Sequence, residues 1–130
     1  MGQVMTDEAA TGKVKEVFDD IRGHFGMVPN FFRALAVHDA DWLELNWYRW
    51  KQIMGQEKAM DRKTKELIAL AVSTVNDCAY CKAAHEAMAR QMGASKEEVT
   101  EMREVVELFA SFNSIADSLD VPIDVKPEEG

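Results

Sequence analysis

The segment Asp77-Cys78-Ala79-Tyr80-Cys81-Lys82-Ala83-Ala84-His85 contains both cysteines of the chain and one of its three histidines. A helix advances about 100° per residue, so positions 78, 81 and 85 fall within roughly 60° of one another and share one face. Two thiols and an imidazole so arranged can run thiol–disulfide chemistry. Cys78 is expected in the first turn, where unpaired backbone N–H groups and the helix dipole favour an anion and so the thiolate, which is the nucleophilic form. By that argument Cys78 is the more activated sulfur. His85 lies one turn beyond Cys81, close enough to exchange a proton directly or through a water. A partner thiol attacking a sulfenic acid or mixed disulfide would then close the disulfide that CxxC spacing permits.

Glu66 is the fourth candidate. Its helix is expected to end at Asn76-Asp77, directly before the cysteine helix, which makes the two helices neighbours and lets a carboxylate at 66 face the thiols. The alternative is a solvated Glu66 pairing with Arg62 or Lys63 on its own helix. A second reading of the cluster is a structural or regulatory zinc site, since two Cys, one His and one Glu supply four ligands. Spacing weakens it: three candidates crowd a single helix face, whereas structural zinc draws paired ligands from separated loops. The reading therefore assigns no metal and no cofactor. His24 and His38 have no partner at a recognisable spacing and are taken as helix-end or surface residues. The eight methionines and the cluster Trp42, Trp47 and Trp50 are read as packing.

The elements that must position these residues read as helices throughout, because apolar residues recur at helical spacing and no stretch alternates strictly between turn signals. The fold expected is all-α, a single-domain bundle of about six helices, with a core over about 11–119 and a tail over 121–130. The first helix runs from Thr11 to about Phe25, with Val14, Val17, Phe18, Ile21 and Phe25 in one stripe and Gly26 ending it. Pro29 is expected in the first turn of a short helix through Phe31, Phe32 and Leu35 that ends at His38-Asp39. Asp41 is read as the cap of a third helix, with Leu43, Trp47, Trp50 and Met54 on one face and Trp42 and Tyr48 pointing elsewhere. Two apolar faces on one helix suggest burial against another subunit. Asp61 caps a fourth helix through Lys65, Glu66, Ile68, Leu70, Ala71, Val72 and Val75. The cysteine helix follows to Met92 and stops at Gly93. Ser95 with Glu98 then forms a capping box for a long sixth helix along Val99, Met102, Val106, Phe109 and Phe112, extending past Asn113 to Leu119. The tail, with Pro122, Pro127 and several acids, is expected to be loose or to lie over a neighbour.

At 130 residues, 47% hydrophobic and 29% charged, the chain can bury a core of its own without staples. A formal net charge of −8 argues against nucleic acid or an anionic membrane as partner, since both require a basic footprint. No apolar run approaches the roughly 18 residues of a membrane span, and MGQVMTDEAATGK lacks the apolar region of a secretory signal, so a cytoplasmic location is expected. Thiols are kept reduced there, which favours metal or redox chemistry over a structural disulfide.

The spacing Glu66, Cys78, Cys81, His85 resembles the alkylhydroperoxidase D-like branch of the carboxymuconolactone decarboxylase family. The flanks agree: Gly26-Met27-Val28-Pro29-Asn30-Phe31-Phe32-Arg33-Ala34-Leu35 resembles that family's N-terminal segment, and Gly93-Ala94-Ser95 its turn after the redox helix. The resemblance covers about Thr11 to Phe112. It implies an all-helical fold, homo-oligomers (dimer, trimer or hexamer), and peroxidase or disulfide-reductase chemistry on a hydroperoxide, with an unidentified dithiol or protein reductant. By position it makes Cys81 the peroxidatic thiol, Cys78 the resolving thiol, and Glu66 with His85 the proton relay. That assignment runs against the helix-dipole argument for Cys78. The chain also departs from the pattern at Tyr80, where the best-known members carry a further histidine. The rivals from other classes are a non-redox decarboxylase-type member of the superfamily and a non-catalytic oligomeric binding protein.

Overall fold

Gly26 ends the first helix as the apolar spacing requires: it adopts a left-handed φ of 75° and donates its N–H to the Arg22 carbonyl at 2.8 Å. A computed structural model describes residues 2–128 of the chain. Among the described residues there are six helices and no strand, so the fold is all-α. They are α1 (Gly12–Phe25), α2 (Asn30–His38), α3 (Ala40–Ile53), α4 (Arg62–Val75), α5 (Ala79–Gln91) and α6 (Lys96–Ser118). The chain packs as two units, the first ending at Glu57 and the second beginning at Lys58, a division that hydrophobic spacing does not reveal.

In the first unit, Val14, Val17, Phe18 and Ile21 of α1 are buried together with Val28, Phe32, Leu35 and Ala36 around α2 and with Leu43 and Trp47 of α3. Trp47 also carries a polar handle, and its indole N–H donates to Asp20 at 2.7 Å, an acceptor shared with the Lys51 ammonium at 2.8 Å. Two caps differ from the sequence reading. Pro29 is the N-cap of α2 and lies outside its first turn. Asp39, and not Asp41, caps α3, its carboxylate accepting the Asp41 N–H at 2.9 Å, because the extended backbone at Asp39 ends α2 and starts α3 in one residue. Trp42 and Tyr48 are solvent-exposed, in keeping with a second apolar face on α3.

Arg33 pins the segment before α1 to this unit. Its guanidinium donates to the Val28 and Met5 carbonyls and to Asp7, and lies over the Phe18 ring. Asp7 is held below the ordinary carboxylate value of 3.8, first by the hydrogen bond from Arg33 and then by the charges of Arg33 and Arg22. A carboxylate depressed in the folded state stabilises that state above its unfolded value and loses the effect as pH falls through the folded value. The Met5 amide, which donates to the Arg33 carbonyl at 3.1 Å, is therefore expected to stay protected at neutral pH and to lose protection below pH 3.8. Asp7→Asn should show the acid behaviour at neutral pH. Hydrogen exchange of that amide checks both, and protection in Asp7→Asn equal to the native chain would mean the ion pairs do not hold the segment.

In the second unit, Asp61 caps α4 by accepting the Thr64 N–H at 2.7 Å, and Ser95 with Glu98 forms the expected capping box at α6. The buried face of α4 is not its most apolar one. Glu66, Leu70 and Ser73 are buried, whereas Ile68, Val72 and Val75 are exposed. Spacing alone places two stripes on this helix, and packing against α5 and α6 selects the one that carries Glu66. Val99 of α6 is buried near its start, but Phe109 and Phe112 further along are exposed. Residues 121–128 form no regular element and are exposed, while positions 129 and 130 of the expected tail lie outside the described residues.

Candidate active site

The junction between α4 and α5 builds the site. Asp77 takes a left-handed φ of 54°; its N–H donates to the Thr74 carbonyl at 3.2 Å and the Cys78 N–H donates to the Ser73 carbonyl at 3.0 Å. This pair of bonds is a Schellman closure of α4, with aspartate at the position usually held by glycine, a conformation that Asp tolerates better than most residues. Cys78 is thus the residue that completes one helix end and starts the next. It is the N-cap of α5, not a member of its first turn, and its Sγ stands where a serine or aspartate oxygen would, accepting the Cys81 N–H at 3.4 Å.

Cys78 and Cys81 are joined by a disulfide, their Cα atoms 5.3 Å apart. Lys82 and Asp77 bracket the pair, the ammonium 2.7 Å from the carboxylate. Sequence reading singled out neither residue for the site, although Asn76-Asp77 was legible as the break between helices.

Glu66 reaches the site from α4. Only 2% of the residue is exposed, and its Oε2 lies 2.8 Å from Nδ1 of His85 on α5. Pairing of Glu66 with its own helix surface is therefore not the arrangement, and Lys63, one of the partners considered for it, bonds instead to Glu98 at 2.9 Å. A carboxylate taken this far out of water is tolerable because the imidazole satisfies it. With Glu66 ionised, Nδ1–H donates to the carboxylate and Nε2 is left as the accepting nitrogen of the neutral ring. Two ion pairs hold the helices that carry these groups: Lys63–Glu98 between α4 and α6, and Arg103–Glu86 between α6 and α5, each at 2.9 Å. All four residues singled out from the sequence thus fall in the second unit, two of them bonded covalently and two hydrogen-bonded.

Among the described residues no group of three or more His, Cys, Asp or Glu is placed to hold a metal ion, and both sulfurs are engaged with each other. A cleft of about 510 Å³ lies in the first unit between α1 and α3, lined among others by Asp20, Asp41, Glu44, Trp47 and Lys51. Both cysteines lie outside it, and Asp20 there accepts hydrogen bonds from Trp47 and Lys51. His24, exposed near the end of α1 against Trp47 and Trp50, and His38, at the end of α2, are the helix-end residues expected.

Residues 38–124 match the model of the carboxymuconolactone decarboxylase family. The chain belongs to that family. Within it the similarity is to alkylhydroperoxidase D-like members. The alkyl hydroperoxide reductase AhpD of Mycobacteroides abscessus is 30% identical over 107 residues, covering 80% of this chain and 61% of that protein. The protein of the same name from Nocardia farcinica is 30% identical over 117 residues, covering 88% of this chain and 65% of its own length. The chain thus spans less than two-thirds of the length of the curated relatives it matches. The crystal structure of the alkylhydroperoxidase AhpD core from Rhodospirillum rubrum superimposes with a TM-score of 0.89 at 36% identity, covering 95% of this chain and 93% of that one. The six-helix fold of this family member is therefore the AhpD core fold, as the resemblance carried by Glu66, Cys78, Cys81 and His85 implied. No helix among the described residues is long and apolar enough to cross a membrane.

Proposed function

We propose that this family member is a thiol-dependent peroxidase of alkylhydroperoxidase type, working at the Cys78–Cys81 pair with Glu66 and His85 as its proton relay. The observation that carries the reading is the disulfide-forming pair at the start of α5 together with His85, one turn beyond Cys81 on the same helix, hydrogen-bonded to the buried Glu66 of α4. Cys81 as thiolate attacks the terminal oxygen of a hydroperoxide; the O–O bond breaks, Cys81 becomes a sulfenic acid, and the alkoxide takes a proton from the relay and leaves as the alcohol. Cys78 as thiolate then attacks the sulfenic sulfur, the disulfide forms, and the departing hydroxide is protonated to water. His85, one turn from Cys81, moves these protons, and Glu66 orients the ring and offsets its charge when it is protonated. The residues themselves carry the chemistry, so the reading calls for no cofactor. A dithiol or protein reductant reopens the disulfide, and the cytoplasm, where such reductants are kept reduced, is the proposed location. The test is intact mass with thiol counting on the reduced chain before and after one equivalent of an organic hydroperoxide. Loss of two hydrogens with both thiols consumed, reversed by a dithiol, supports the reading; thiols that stay free overturn it.

The same reading includes a homo-oligomer, and α6 supplies a surface for it. Val105, Leu108, Phe112, Ile115 and Leu119 are between 42% and 69% exposed, and they recur at alternating steps of three and four residues, the spacing at which one helix seats against another. With Phe109 beside them, they offer on the order of 1,000 Å² across two copies, the scale at which a specific interface begins. Leu108→Glu or Phe112→Glu is expected to lower the mass of the assembly in light scattering while leaving the helical circular dichroism unchanged. An unaltered mass in both variants would place the subunit contact elsewhere.

A further inference from the structure

The disulfide is chemically lopsided. Cys78 is the N-cap of α5 and its sulfur accepts the Cys81 N–H at 3.4 Å, whereas Cys81 lies inside the first turn and its own N–H is the donor of that bond. We infer that Cys81 is the sulfur a thiol reductant attacks and Cys78 is the sulfur that leaves. The inference rests on the thiol-redox reading of the site and adds to it the direction in which the disulfide opens.

The step is an exchange in which no net proton moves. A reductant thiolate attacks the Cys81 sulfur, a new sulfur–sulfur bond forms between them, the Cys78–Cys81 bond breaks, and its electron pair leaves with Cys78 as a thiolate. A second thiolate of the reductant then attacks the reductant sulfur of the mixed disulfide and releases Cys81, so that the reductant is oxidised and the enzyme pair is reduced. Exchange is faster when the departing thiolate is the better stabilised one. When Cys78 departs, the Cys81 N–H becomes a charge-assisted donor to it, and the unpaired N–H groups and dipole of the helix start add to the effect. If Cys81 departed, its charge would form within the first turn, beside an N–H aimed at the other sulfur. Lys82, the neighbouring cation, lies 2.7 Å from the Asp77 carboxylate, so the pair brings charges of both signs close together beside the disulfide.

The same bond holds Cys78 as the thiolate that resolves a sulfenic acid on Cys81. Cys81 is then the electrophilic sulfur in both halves of the cycle. This reconciles two sequence arguments that conflict on their face: the more readily ionised sulfur, Cys78, need not be the one that meets the peroxide.

The experiment treats the oxidised full-length chain with glutathione for short times, quenches in acid, caps free thiols with N-ethylmaleimide, and sequences the cysteine peptide by tandem mass spectrometry. Fragments between Ala79 and Tyr80 separate the two positions. The expected result is several-fold more glutathione on Cys81 than on Cys78, with the maleimide on Cys78, because exchange runs faster when the better-stabilised thiolate departs. An even distribution, a preference for Cys78, or no adduct overturns the inference. The readout needs no peroxide, so a chain that shows the preference but consumes no hydroperoxide would refute the peroxidase reading and leave the direction of opening standing.

Discussion

Replacing Cys81 by Ser is expected to reduce hydroperoxide turnover to the uncatalysed background. A hydroxyl is not ionised near neutrality and yields no sulfenic acid, so the step that breaks the O–O bond is lost outright and not merely slowed. The fold should survive. Ser is smaller than Cys by a fraction of a methyl group, the site is only partly buried, and the hydrogen bond to Cys78 comes from the backbone N–H at 81, which the substitution keeps. The comparison is made against the reduced native chain, so that no disulfide contributes on either side. Cys78→Ser should differ in kind: one equivalent of hydroperoxide is consumed, and a sulfenic acid at Cys81 accumulates that a cyclic dione can trap. Steady-state hydroperoxide consumption and dione labelling check the pair. Retained turnover in Cys81→Ser would remove Cys81 from the chemistry, and a dione adduct on Cys78 in that variant would exchange the two roles.

Glu66→Gln is expected to lower turnover by roughly 10–100-fold, the size of effect found when the carboxylate that orients a metal-bound histidine is altered. Glutamine is nearly isosteric, and its carbonyl can still accept from Nδ1 of His85, so the ring stays in place. What disappears is the negative charge that offsets the imidazolium formed when His85 carries a proton. Glu66→Ala removes the anchor as well. It leaves a void at a residue that is 2% exposed and strips the imidazole of its acceptor, for a cost of about 2–4 kcal/mol in unfolding free energy. Turnover and urea unfolding measured on both variants separate the contributions. A native rate in Glu66→Gln, with only Glu66→Ala destabilised, would mean the couple serves the packing of α4 on α5 and not the protons.

The disulfide and the Glu66–His85 couple lie in the unit built from α4, α5 and α6, held by the ion pairs Lys63–Glu98 and Arg103–Glu86. Few of this unit's large apolar side chains are buried: Leu70 and Val99 are, while Ile68, Val72, Val75 and most of the α6 stripe face solvent. The proposed pairing of α6 between copies would cover part of that surface, which links the proposed assembly to the stability of the same helices that carry the site.

Much of this was legible in the residues. Helical spacing at Val14, Val17, Phe18 and Ile21, the capping box of Ser95 and Glu98, and the stop at Gly26 are local signals whose physics is complete within one turn, and six helices follow from signals of that kind. The positions 78, 81 and 85 share a face because helix geometry makes them do so, so the candidate thiols and imidazole could be named before any packing was seen. Other features depend on contacts between residues distant in sequence. Glu66 lies nineteen residues before His85, and whether it faces water or the imidazole depends on how α4 rolls against α5. That roll is selected by packing, which buried the stripe of Glu66, Leu70 and Ser73 and left the more apolar Ile68, Val72 and Val75 outside. The shift of Cys78 from first turn to N-cap likewise follows from the left-handed Asp77, a backbone conformation that composition does not announce. Sequence alone thus determined the helices and the identity of the sulfurs, because those rest on spacing within one helix; the backbone turn at Asp77, which residue types do not announce, made Cys78 the cap that accepts the Cys81 N–H, and tertiary packing of α4 on α5 decided the partner of Glu66.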